Sequence, residues 1–203
     1  PAEHIFVTGN TVIDALDTTV RSDYTHPEIE WARGSRLILL TAHRRENLGE
    51  PMREMFRAIR RIVDETPDIK VIYPMHKNPA VREMARACFG GQERIHMIEP
   101  LDVLDFHNVM AHAYLIMTDS GGIQEEAPAL GKPVLVMRDT TERPEGVVAG
   151  TLKLVGTDEN TIYAAVRELL TDPAAYHEME HAVNPYGDGH ASRYIADILA
   201  REL

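Results

Sequence analysis

The densest chemistry in this 203-residue sequence lies in Thr118-Asp119-Ser120-Gly121-Gly122-Ile123-Gln124-Glu125-Glu126. An apolar run, Tyr114 to Met117, precedes it and reads as a buried strand. A helix is expected through Leu130, stopped by Gly131-Lys132-Pro133, with Val134 to Met137 as the next strand. The stretch is then a βαβ unit with a glycine turn at the carboxyl end of its first strand, the crevice where open α/β sheets bind ligands. At a helix start each glycine costs up to about 1 kcal/mol against alanine. The plain explanation is a tight turn, with Ser120 or Asp119 as the helix N-cap. The sharper one is that bare backbone lets a phosphate reach unpaired N–H groups and the positive end of the helix dipole. Glu126 is expected about 9 Å along the helix from Ser120. There a carboxylate can accept hydrogen bonds from a ribose diol without touching a phosphate. Phosphates at Ser120, Gly121 and Gly122 with a sugar at Glu126 have the dimensions of a nucleotide site. The bland alternative for Glu126 is a solvated helix face.

A second group follows another apolar run. Leu37-Ile38-Leu39-Leu40 ends at Thr41, and Ala42-His43-Arg44-Arg45-Glu46-Asn47 comes next. His43, Arg44 and Arg45 offer positive charge and a titratable ring. At ~4 Å and an intermediate dielectric, one opposite-charge contact is worth about 4 kcal/mol before desolvation. A diphosphate leaving group gains most from this as its charge grows. A solvated basic loop is the ordinary alternative. His76 and Lys77 also sit at an expected strand end, as does Arg143 in Asp139-Thr140-Thr141-Glu142-Arg143-Pro144-Glu145-Gly146. A surface arginine ahead of a proline is the plain view of Arg143. Phe106 lies on an apolar helix face, where core packing is the default.

The elements that must position these residues alternate. Strands are expected at Ile5 to Thr8, Arg36 to Thr41, Lys70 to Met75, Ile95 to Ile98, Tyr114 to Met117, Val134 to Met137 and, as an edge, Leu152 to Val155. Helical periodicity marks Thr11 to Val20, Met52 to Val63, Ala80 to Phe89, Asp102 to Ala111, Glu159 to Leu170, Ala174 to His181 and Ala191 to Leu203. Asp23 to Gly34 reads as a loop with a short helical piece, and Glu142 to Val148 as a loop and short helix. The pattern predicts an α/β fold: a Rossmann-like, three-layer αβα domain with a mostly parallel, doubly wound sheet. In a parallel sheet the loops after Thr41, Met75, Ile98, Met117 and Met137 share one rim. His43, Phe106, Ser120 and Arg143 can then converge.

Composition is ordinary, 44% hydrophobic and 26% charged. The net charge of −11 argues against nucleic acid and anionic membranes as partners. Apolar runs are strand-sized, so no membrane span is expected. The single cysteine, Cys88, excludes an internal disulfide and fits a reducing cytoplasm. No Cys or His cluster is read as having metal-ligand spacing, so neither a metal nor a cofactor is expected.

The motifs Thr118-Asp-Ser-Gly-Gly-Ile-Gln-Glu-Glu-Ala-Pro, Asp139-Thr-Thr-Glu-Arg-Pro-Glu-Gly and Thr41-Ala-His-Arg-Arg-Glu-Asn together resemble the bacterial non-hydrolysing UDP-N-acetylglucosamine 2-epimerases. The likeness runs in order through nearly the whole sequence. It implies the C-terminal half of a GT-B-like fold, two α/β domains facing across a cleft. Members are nearly twice this long, so residues 1–22 are expected to be the junction from a preceding domain and 23–203 the UDP-binding domain. The resemblance implies that His43 contacts the substrate and assists the reaction. It puts Phe106 near the uracil, Ser120, Gly121 and Gly122 on phosphate oxygens, Glu126 on the ribose and Arg143 on the diphosphate or sugar. Arg44 and His76 match positions implicated in a second UDP-sugar site that activates some members. The implied reaction inverts C2 of the sugar by eliminating and re-adding UDP, in a cytoplasmic, homodimeric enzyme feeding cell-surface polysaccharide synthesis. Its C2 acid/base carboxylates belong to the other domain. A glycosyltransferase of like architecture, a hydrolysing epimerase and a non-enzymatic sugar-nucleotide sensor are the alternatives.

Overall fold

The computed structural model describes residues 2–202. Six strands form one parallel sheet: β1 Arg36–Thr41, β2 Ile69–Pro74, β3 Ile95–Ile98, β4 Leu115–Thr118, β5 Val134–Val136 and β6 Leu152–Leu154. Their order is β3-β2-β1-β4-β5-β6, so the chain winds outward from β1 in one direction and then from β4 in the other. The α/β, doubly wound expectation holds, and Leu152–Leu154 is an edge as expected. Ten helices are described: α1 Thr11–Thr19, α2 Pro27–Ala32, α3 Glu50–Glu65, α4 Pro79–Phe89, α5 Val103–His112, α6 Ile123–Ala129, α7 Pro144–Ala149, α8 Glu159–Thr171, α9 Pro173–Glu180 and α10 Ala191–Glu202. Leu203, expected at the end of the last helix, lies outside the described residues, as does Pro1.

Alternation along the strands explains the layers. Ile38 and Leu40 pack with Met52, Phe56, Ile59, Phe89 and Ile162 on one face, while Leu37 and Leu39 pack with Leu16, Ile29, Val109 and Ile123 on the other. Both faces of β1 are covered, and Leu37 to Leu40 are at most 2% exposed. This is why the strand reads as a continuous apolar run. Phe56, Tyr73 and Phe89 make the aromatic centre of the first layer, with ring centroids 4.8 to 6.2 Å apart. Tyr73 donates its hydroxyl to the Ala42 carbonyl at 2.8 Å, which ties the end of β1 to β2. Burial raises the Tyr73 phenol well above its ordinary pKa, so it stays a donor.

One expected strand is absent. Ile5 to Thr8 pairs with nothing among the described residues, and Ile5 and Val7 are 74% and 99% exposed. Its β-branched composition lacks a neighbouring strand edge to pair with. Pro27, expected to break Asp23 to Gly34, instead opens α2 at its first turn, where a missing N–H costs nothing. Helix α1 lies against α5, α6 and α10, with Ile13 and Leu16 each 5% exposed.

Candidate functional site

Strands β1 and β4 lie side by side with Thr41 opposite Thr118, and the two hydroxyls meet at 2.6 Å. This is where the winding of the sheet reverses, and the crevice outside their carboxyl ends is the natural ligand position. The loop carrying His43 and Arg44 therefore faces the turn carrying Ser120, Gly121 and Gly122.

Asp119 joins the two. It is 0% exposed. Its Oδ2 accepts the backbone N–H groups of His43 at 2.9 Å and Arg44 at 2.7 Å, and the Asn47 side-chain amide at 3.3 Å. Its carbonyl accepts Arg44 Nε at 3.1 Å. The expected cap on the glycine helix is thus corrected. Gly122 occupies the N-cap of α6 with no side-chain bond, and the Ser120 N–H donates to Thr118 Oγ1 at 2.9 Å. Three donors gathered around the buried Asp119 carboxylate compete better for it than the open end of α6 does.

That leaves the helix end unfilled. The Gly121 and Gly122 N–H groups make no hydrogen bond among the described residues. Neither glycine has a positive φ. A Cβ at Gly121 would meet only Arg44 Nη2 at 3.5 Å, and one at Gly122 only Glu126 Oε1 at 3.9 Å, both ordinary contacts. Backbone conformation and internal crowding therefore do not require glycine here. Room for something to approach the backbone is the remaining physical reason. The same distances show a polarity: Gly121 looks onto a guanidinium and Gly122 onto a carboxylate.

The expected ~9 Å is counted from Ser120, but the nearer glycine, Gly122, has Glu126 beside it. Helix α6 begins only at Ile123, and helical side chains slant toward the N-terminus, so Glu126 folds back over the first turn to Gly122. Behind it stands His107, a residue the sequence reading missed. Its Nε2 is 3.7 Å from Glu126 Oε2, and its Nδ1 is 2.8 Å from Thr19 Oγ1. The Thr19 hydroxyl already donates to the Ala15 carbonyl at 2.9 Å, so it can only accept from His107 Nδ1–H. A polar residue on the buried side of α5, next to Phe106, was the available signal. Phe106 itself is half-buried and packs against the layer of Leu16 and Val109.

His76 stacks on His43, with ring centroids 5.4 Å apart and planes 12° apart. Arg44 and His76 therefore border the same crevice as His43. Arg143 is not a free surface arginine. Its Nε donates to Glu125 Oε1, its Nη1 donates to the Glu142 carbonyl at 3.1 Å, and a third of its side chain remains exposed. Glu125 is 5% exposed and also accepts Asn10 Nδ2, while its carbonyl accepts Asn184 Nδ2 at 3.1 Å. Arg138, 7% exposed, pairs with Glu46 and Glu142 and so ties the loop after β1 to the loop after β5. Hydrogen bonding to Arg138 holds the Glu142 carboxyl down at about 2.

The family model described as UDP-N-acetylglucosamine 2-epimerase matches residues 1–200. The chain belongs to this epimerase family. It is 64% identical over 198 residues to the UDP-N-acetylglucosamine 2-epimerase of Bacillus subtilis, covering 98% of this chain and 52% of that protein. The S. aureus MnaA–UDP structure superposes with a TM-score of 0.96 at 53% identity, covering 99% of this chain and 55% of that one. The Neisseria meningitidis UDP-GlcNAc 2-epimerase bound to UDP-GlcNAc gives 0.91 at 42%, covering 99% and 56%. The chain thus spans about half the length of the curated relatives it matches. A likeness in fold alone, TM-score 0.64 at 14% identity, links it to the C-terminal domain of a group 1 glycosyltransferase from Francisella tularensis.

One expectation about this family member needs correction. His177, Glu180 and His181 bring three ligand atoms within 4.8 Å of one another at the end of α9. Histidines four residues apart share one helix face, which is a metal-ligand spacing the sequence reading overlooked. His177 and His181 are 69% and 60% exposed at their side chains. Among the described residues no helix is long and apolar enough to cross a membrane.

Proposed function

We propose that this chain is the UDP-binding half of an enzyme that interconverts UDP-N-acetylglucosamine and UDP-N-acetylmannosamine. The observation that carries the proposal is the pair of unpaired amides at Gly121 and Gly122, set between the Arg44 guanidinium and the Glu126 carboxylate. The diphosphate lies on the Gly121 side with Ser120, and the ribose diol on the Gly122 side with Glu126. Phe106 and the backbone around it flank the uracil. Arg143, oriented by Glu125, turns its remaining N–H groups to the diphosphate or the sugar. His43 touches the departing UDP and offsets the charge that grows on it. The carboxylates that move the C2 proton belong to the other half, so this chain alone binds nucleotide and does not turn it over. Residues 1–22 form the junction to that half and 23–203 the UDP-binding domain. Arg44 and His76, bordering His43, also serve a second UDP-sugar that activates the enzyme. The intact enzyme is a cytoplasmic homodimer that supplies cell-surface polysaccharide precursors.

Calorimetric titration of UDP into this chain tests the reading. Saturable binding is expected, weakened about tenfold or more by Glu126→Ala and by Arg143→Ala, since losing one charge-assisted contact costs about 1.5–3 kcal/mol. Absence of binding, or variants that bind like the parent, would overturn it.

A further inference from the structure

Asp119 holds one atom in reserve. Its Oδ1 is, among the described residues, the one buried side-chain nitrogen or oxygen without a hydrogen bond. The nearest basic atom is His43 Nδ1 at 3.5 Å, a few tenths of an ångström beyond a hydrogen bond. Oδ2 of the same carboxylate is fully committed to the loop amides described above. The carboxylate is therefore fixed in place and cannot rotate toward solvent to satisfy Oδ1. His43 is the more exposed partner, with 38% of its side chain open.

We infer that Asp119 is a positioning residue for His43, accepting Nδ1–H on Oδ1 and so presenting Nε2 to the crevice. A neutral imidazole carries one hydrogen, and a neighbouring acceptor decides which nitrogen holds it. With Nδ1–H directed at Asp119, Nε2 is left to accept a proton. A proton taken up at Nε2 is then held where it can be donated to a ligand oxygen in front. The small closure that remains is of the kind catalytic contacts make when ligand arrives. The stacked ring beside it is arranged the other way. His76 Nδ1 accepts the Asn78 N–H at 3.1 Å, so its hydrogen sits on Nε2. Two neighbouring histidines thus carry opposite tautomers, and each serves as the control for the other. This inference rests on the UDP-site reading for its purpose but not for its geometry.

The test is nitrogen NMR of the imidazole rings of this 203-residue chain, at a pH where both are neutral, with His43→Gln and His76→Gln to assign the signals. The parent chain should show His43 as Nδ1–H and His76 as Nε2–H. Asp119→Asn should keep the loop in place and invert His43. The position of Oδ2 must still accept two backbone N–H groups, so the amide oxygen stays there and the NH2 group turns to His43 Nδ1. That forces the hydrogen onto Nε2, and the tautomer ratio should change about tenfold or more. His76 should not change. A parent His43 found as Nε2–H overturns the inference without any variant, and so does an unchanged ratio in a folded Asp119→Asn protein. Failure of the UDP titration would sink the function and leave this result standing.

Discussion

At the scale of single residues, the site depends on partners that stand behind the groups facing the crevice. His107 is the clearest. It fills the space between Thr19 and Glu126, and its Nδ1–H is committed to Thr19. His107→Leu removes the one basic side chain within ion-pair reach of Glu126 among the described residues and takes the donor from the Thr19 oxygen. Stability should fall by about 1 kcal/mol, the usual net contribution of one hydrogen bond, read from urea unfolding. UDP affinity should fall several-fold in the same protein. Unchanged affinity would mean that Glu126 needs no positioning. That Ser120, Gly121, Gly122 and His43 come to one crevice was legible in the sequence, because each follows a strand whose carboxyl end lies on the same rim. The parts of Asp119 and His107 were not. An aspartate before a serine and a histidine on a helix have many ordinary uses, and only packing shows which donors each one meets.

At the scale of elements, helix ends carry the information. Helix α10 is capped from a distance: the N–H groups of Ala191 and Ser192 donate to Asp14 of α1 at 3.1 and 2.6 Å. Those bonds lower the Asp14 pKa below its ordinary 3.8, the Ser192 amide contributing most. A carboxyl depressed on folding stabilises above its ordinary value and loses that contribution as pH falls below it. Asp14→Ala should therefore speed hydrogen exchange in the first turn of α10 at neutral pH, and the parent should show the same loosening only in acid. Equal protection in the two proteins at neutral pH would refute the cap. The strand cores were predictable to within a residue or two at most positions because both faces of the sheet are covered. The Ile5 to Thr8 strand failed for the opposite reason. Its residues favour an extended chain, but no strand edge among the described residues lies beside them.

At the scale of the whole molecule, reversal of the winding between β1 and β4 places two distant loops against one another, and Arg138 ties in a third. The Glu142 carboxyl, held at about 2 by Arg138, adds stability above the ordinary value of 4.5 and loses it as pH falls from there toward about 2. About half of that side chain is exposed, so solvent screening keeps the effect to about 1 kcal/mol or less. Glu142→Gln should flatten that part of the acid limb in thermal unfolding and leave the neutral plateau lower. A parallel acid limb would show that the pair contributes nothing.

The residues alone determined the alternation of strands and helices, the rim on which the loops must lie, and the kinds of group that gather there. Those follow from periodicity, from the bare backbone at Gly121 and Gly122, and from motifs that survive as linear text. Which side chain answers which was decided only by the folded chain. The helix starts at Ile123 rather than at Ser120, Glu126 turns back on itself, and Asp119 faces the loop instead of the helix. Each depends on competition among donors and acceptors brought together from far apart in the chain, and no local pattern contains the outcome of that competition.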